Sequence, residues 1–130
     1  MIVKICGITT LADGLAAAQA GAHMLGLNFY PPSPRCLTRQ AARTLADGLR
    51  AALGGATPTL VGVFVNWPAA AIAALLDECG LDLAQLSGDE PAEALEALGE
   101  RAFKAIRPAG PAELADALAR LPRRAAPPAC

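Results

Sequence analysis

Short apolar runs alternate along this chain with longer stretches whose apolar residues recur at helical spacing. Ile2 to Cys6 reads as a first strand, and Leu11 to Ala20 as a helix closed by Gly21. Met24 to Phe29 is the second strand. A proline-rich loop, Pro31 to Pro34, leads to a helix from Arg39 to Leu53. Thr59 to Val65 is the third strand, and Pro68 opens a helix that runs to Cys79 and stops at Gly80. Leu83 to Leu86 is a short fourth strand. Pro91 opens the next helix, which ends near Gly99. Ala102 to Ile106 is the fifth strand, and Pro111 to Leu121 the fifth helix.

Five βα units in succession predict an α/β fold with a parallel sheet covered by helices. The strands lack clean apolar–polar alternation, as expected when both faces are buried. The tail from Pro122 to Cys130 carries three prolines and no periodicity, and reads as the approach to a sixth strand that does not arrive.

Composition narrows the function classes. The 130 residues amount to one domain, 54% hydrophobic and 18% charged, with a formal net charge of −1. That balance gives no electrostatic case for nucleic acid or an anionic membrane surface. No apolar run approaches a membrane span, and the opening residues lack a secretory signal, so a cytoplasmic protein is expected. The cysteines Cys6, Cys36, Cys79 and Cys130 form no C-x-x-C pair, which argues against a zinc ribbon or a thioredoxin motif, and a chain that reads as cytoplasmic and is not small and loop-rich argues against a disulfide framework. No G-x-G-x-x-G follows the first strand, which counts against a dinucleotide fold.

Parallel α/β sheets place their chemistry at the carboxyl ends of the strands. That rule selects Cys6 and Gly7 after strand one, and Asn28, Tyr30 and Arg35 after strand two. It selects Asn66 after strand three, Gln85, Ser87 and Asp89 around strand four, and Arg107 after strand five. Position alone leaves Cys6 as either a small buried hydrophobe or a thiol base. Arg35 is either a solvated loop residue or a planar fork for a carboxylate or phosphate. Asn28 and Asn66 can satisfy turn backbone, and Gln85 can face inward or bond its neighbours. Asp89 and Glu90 read as capping residues before the helix at Pro91. His23 lies at the opposite, amino edge and reads as structural. The helix carboxylates Glu78, Glu93, Glu96, Glu113 and Asp116 read as solvated faces.

Five segments carry a resemblance. Lys4-Ile5-Cys6-Gly7-Ile8-Thr9 is similar to the opening signature of the phosphoribosylanthranilate isomerases. Gly26 to Tyr30 followed by Pro32-Ser33-Pro34-Arg35 resembles that family's second strand and loop. Val61 to Asn66, Leu83 to Glu90, and Lys104-Ala105-Ile106 resemble strands three, four and five.

The resemblance implies βα units one to five of a TIM-type (β/α)8 barrel, a single domain over residues 1–130 that stops before strand six. It implies an Amadori rearrangement of phosphoribosylanthranilate in tryptophan biosynthesis, with no metal or organic cofactor. Cys6 would be the general base. Arg35 would position substrate at its anthranilate end, with Asn28 and Gln85 in the substrate-binding set. Ser87 stands where the family carries histidine. The family's general acid is an aspartate at the end of strand six, and its phosphate loops follow strands seven and eight, so another chain or segment would be needed to complete the barrel. The isolated chain is therefore expected to be inactive and prone to associate through its open edges. The alternatives are a non-catalytic remnant of the same family and a flavodoxin-like binding module. A receiver-type module of that last kind needs acidic residues where Cys6-Gly7 and Asn66 stand.

Overall fold

A computed structural model describes residues 1–122 and 124–128. Cys130 lies outside the described residues. Five parallel strands form one sheet in the order β1-β2-β3-β4-β5. They are β1 (Lys4–Cys6), β2 (Met24–Asn28), β3 (Thr59–Phe64), β4 (Leu83–Leu86) and β5 (Ala102–Lys104). The helices between and after them are α1 (Leu11–Gln19), α2 (Arg39–Leu53), α3 (Ala69–Cys79), α4 (Ala92–Leu98) and α5 (Pro111–Arg120). This order never reverses, so every crossover steps the same way. A flavodoxin-like sheet needs a reversal next to its first strand, and the flavodoxin reading is corrected on that ground.

The edge strands are shorter than the sequence pattern predicts. Residues 2–3 and 105–106 continue the apolar runs but lie outside the strands. Each edge strand has one neighbour, so β1 begins level with the start of β2 at Met24 and β5 stops level with the end of β4 at Leu86.

Register separates the two faces of the sheet. Leu25, Leu27, Leu60, Phe64, Ala84, Leu86 and Ala102 pack against the helices in the main core. Helix α2 contributes Ala42, Leu45, Ala46 and Leu49, and α3 contributes Ile72, Leu75, Leu76 and Cys79. Met24, Val61, Leu83 and Phe103 form a second cluster on the opposite face. Both faces are therefore occupied by apolar side chains, which explains the missing alternation. Helix α1 buries only Gly14, and α5 buries none of its residues.

The helix starts follow from short polar side chains and prolines. Thr10 Oγ1 accepts from Asp13 N at 3.1 Å, and Thr38 Oγ1 accepts from Ala41 N at 3.2 Å. Pro68 and Pro91 occupy the cap positions of α3 and α4, and Pro111 starts α5. His23 Nδ1 accepts from Val3 N at 3.1 Å, tying down the amino edge as its position implied. Among the described residues no helix is long and apolar enough to cross a membrane.

Candidate functional site

The strands deliver their last residues to one edge. Cys6 stands level with Gly26, and Gly26 with Val61. Asn28 stands level with Val63, Val63 with Gln85, and Gln85 with Phe103. Residues level in a parallel ladder share a face, and side chains alternate along each strand. Cys6, Asn28 and Gln85 therefore lie on the face away from the helices.

Cys6 is exposed, so the buried-hydrophobe reading does not hold. Gly26 makes room beside it. A Cβ at Gly26 would sit 2.9 Å from Cys6 Sγ and 2.8 Å from Lys4 Nζ, so both side chains lie over the same bare stretch of backbone. Arg35 comes to the same corner from the β2α2 loop. Its Nη1 donates to Cys6 O at 3.4 Å, and its side chain lies across Gly7. A Cβ at Gly7 would come within 2.7 Å of Arg35 Nε, and Gly7 has φ +82°, a conformation that favours glycine. The glycine turn thus seats the Arg35 guanidinium against the backbone of Cys6.

Asn28 is engaged locally. Its Oδ1 accepts from Tyr30 N at 2.7 Å, closing the turn that starts the loop. Gln85 Nε2 donates to Ser87 Oγ at 3.0 Å, so these two form a unit at the end of β4. Arg107 lines a cleft of about 730 Å³ between the β4α4 loop and α5, beside Ser87 and Lys104. Cys6 and Arg35 lie outside that cleft.

The sequence reading of Glu90 is corrected. It does not cap α4; its side chain is 2% exposed and pairs with Lys104, 8% exposed. Its carboxylate also accepts from Asn66 N at 2.8 Å and from Gly88 N at 3.0 Å. Burial alone would raise this carboxyl, but the Lys104 hydrogen bond, the backbone amides and the ammonium charge hold it below the ordinary carboxylate value. Asn66 adopts φ +56°, and its Oδ1 accepts from Asp89 N at 2.7 Å. Asn66 and Asp89 thus belong to one polar knot. Sequence offered one signal for it: Lys104 is one of only two lysines and stands between apolar neighbours in Ala102 to Ile106.

Cys79 is buried against α2 with Sγ on Arg39 O at 3.4 Å, and burial, reinforced by Glu78, pushes its thiol up. It is a core residue. Glu78, read as solvated, pairs with Arg39 at 3.0 Å on the surface. Among the described residues no group of three His, Cys, Asp or Glu side chains gathers where it could hold a metal ion.

Comparison with known proteins converges on one group. Residues 3–125 match the family model of N-(5'-phosphoribosyl)anthranilate isomerase. The protein of that name from Magnetococcus marinus is 48% identical over 120 residues, covering 92% of this chain and 54% of the relative. Its counterpart from Myxococcus xanthus is 46% identical over 112 residues, covering 86% of this chain and 50% of the relative. The crystal structure of phosphoribosyl anthranilate isomerase from Thermotoga maritima superposes with a TM-score of 0.82 at 34% identity, over 94% of this chain and 60% of that one. The Thermus thermophilus structure gives 0.76 at 42% identity, over 85% of this chain and 54% of that one. The chain spans about half the length of the curated relatives it matches.

Proposed function

From the premise that the chain belongs to the N-(5'-phosphoribosyl)anthranilate isomerase family, we propose that its residues form one half of an Amadori isomerase site acting on phosphoribosylanthranilate. The observation that carries this reading is the exposed Cys6 on the carboxyl edge of the sheet, whose backbone carbonyl accepts from the Arg35 guanidinium. A structural relative was solved with reduced 1-(o-carboxyphenylamino)-1-deoxyribulose 5-phosphate, a compound with the carbon frame of the product.

The chemistry divides into two proton transfers. An acid protonates the furanose ring oxygen, the C1′–O bond breaks, and the nitrogen lone pair forms a C1′=N iminium. A base then removes the proton from C2′, and the electrons move toward nitrogen to give an enolamine. Loss of the 2′-hydroxyl proton and gain of one at C1′ complete the aminoketose. Cys6 is the base for C2′, its thiol lying on the open face of the sheet where a sugar can reach it. Arg35 holds the anthranilate carboxylate, for which a planar guanidinium fork is suited. The Asn28 amide and the Gln85–Ser87 unit contact substrate from the same face.

The acid and the phosphate site lie outside these elements. Among the described residues there is no sixth strand to carry such an aspartate. Residues 1–130 alone therefore leave ring opening uncatalysed and the phosphate unanchored, and activity requires a segment equivalent to strands six to eight, on the same or another polypeptide. Three features support this need. The strands β1 and β5 each pair on one side only. Ile5, on the helix-facing side of β1, is 41% exposed. Helix α5 has no buried residue.

The test is to express residues 1–130 with and without strands six to eight of a relative as a separate segment. Isomerase turnover should appear in the mixture only. Turnover by residues 1–130 alone overturns the claim about the missing acid. A well-folded mixture with no turnover overturns the isomerase reading.

A further inference from the structure

The buried pair of Glu90 and Lys104 plays no part in the proton transfers just described. Burying two opposite charges contributes little beyond what a well-packed apolar pair would. A carboxylate, however, accepts several hydrogen bonds at once, and Glu90 uses that capacity on two loops. It takes the N–H of Asn66 at 2.8 Å from the β3α3 loop and that of Gly88 at 3.0 Å from the β4α4 loop. Lys104, from the end of β5, donates to the same carboxylate and to Gly88 O. Asn66 closes the knot through its Oδ1, and Gly88 packs so tightly on it that a Cβ there would collide with Oδ1. Three consecutive strand ends are thereby locked to one another.

Ser87 is the residue next to this lock. Its N donates to Phe64 O at 2.8 Å, and its hydroxyl accepts from Gln85 Nε2. Serine has a short side chain, so its hydroxyl reaches only the few places that its backbone and its χ1 rotamers allow. We infer that Glu90 and Lys104 are positioning residues, which fix the β4α4 backbone so that the Ser87 hydroxyl and Gln85 amide face the ligand as one preset hydrogen-bonding unit. The inference rests on the isomerase reading and extends it to residues that touch no substrate. Small misplacements matter because a catalytic or binding group displaced by about 1 Å can cost on the order of a hundredfold.

The experiment measures binding of the reduced product analogue by calorimetry, in residues 1–130 complemented with strands six to eight. Glu90→Gln should weaken binding about two- to tenfold, the loss for one neutral hydrogen bond to the ligand. In a Ser87→Ala, Gln85→Ala background the same substitution should cost nothing further, because the unit it positions is gone. A merely structural role would lower the melting temperature yet leave the affinity of the folded fraction unchanged. Asn66→Gly provides a milder variant that accepts φ +56° without strain and removes only the acceptor for Asp89 N. It should loosen binding in the same background-dependent way if Glu90→Gln does not fold. Equal affinity in folded variants and in the unmutated enzyme overturns this inference alone. An unmutated complemented enzyme that does not bind the analogue overturns the isomerase reading, and this inference with it.

Discussion

Replacing Gly7 by alanine separates the stability of the β1α1 turn from its function. The new Cβ meets Arg35 Nε at 2.7 Å and Arg35 Cδ and Cζ at 2.8 Å. All three atoms belong to the outer part of a long side chain, so relief comes from moving the guanidinium, not the backbone. The stability cost is then mostly conformational, about 1–2 kcal/mol for a non-glycine residue at positive φ. The functional cost should be larger. A guanidinium driven off Cys6 O no longer meets the substrate carboxylate, and a hydrogen bond to a charged group contributes about 1.5–3 kcal/mol. That corresponds to roughly 10- to 150-fold in kcat/KM. Steady-state kinetics of Gly7→Ala, Arg35→Ala and the double variant, in the complemented enzyme, decide the matter. If both substitutions act through the guanidinium, the double variant is no worse than Arg35→Ala. Additive losses, or a Gly7→Ala kcat/KM within about twofold of the parent, refute the argument.

Two further outcomes follow from the same geometry. Cys6→Ala in the complemented enzyme should retain analogue binding and lose roughly 10²–10⁴-fold in kcat, the usual contribution of a general base; a kcat near that of the parent removes Cys6 from the mechanism. Stability should fall on acidification, because the folded-state carboxyl of Glu90 lies below its ordinary value of 4.5. Its contribution is fully present above that value and is lost as pH drops through the folded-state value. Urea midpoints followed by the fluorescence of Trp67, which packs edge-on against Phe64, should therefore decline more steeply below about pH 4.5 in the parent than in Glu90→Gln; parallel declines contradict the assignment.

The βα rhythm was legible in the sequence because its punctuation is local. Gly21, Gly80 and Gly99 follow helices, and Pro68, Pro91 and Pro111 precede or begin them. The carboxyl-edge rule then gathered Cys6, Asn28, Arg35 and Gln85 without any contact information. Register could not be read from the chain, and register is what places Cys6 beside Gly26 and Gln85 beside Val63. Glu90 was misread because its immediate context, a carboxylate before Pro91, fits a helix cap. Its real partners, Lys104 and the amide of Asn66, are 14 and 24 residues away in sequence. The shortened β1 and β5 have the same origin, since an apolar run continues regardless of whether a neighbour is there to pair with it.

The unreversed strand order bears on how this fold is made. Each strand pairs with the one synthesised just before it, across a single helical crossover, so loop-closure costs stay small at every step. Growth from the ribosome can therefore follow the order of translation. The first unit gains little by itself, because α1 buries only a glycine. Burial becomes substantial once α2 and α3 lay Leu45, Leu49, Leu75 and Leu76 against β2 and β3. A nascent chain would hesitate until about residue 80 has emerged, and β4 and β5 would then add to a seed that already exists.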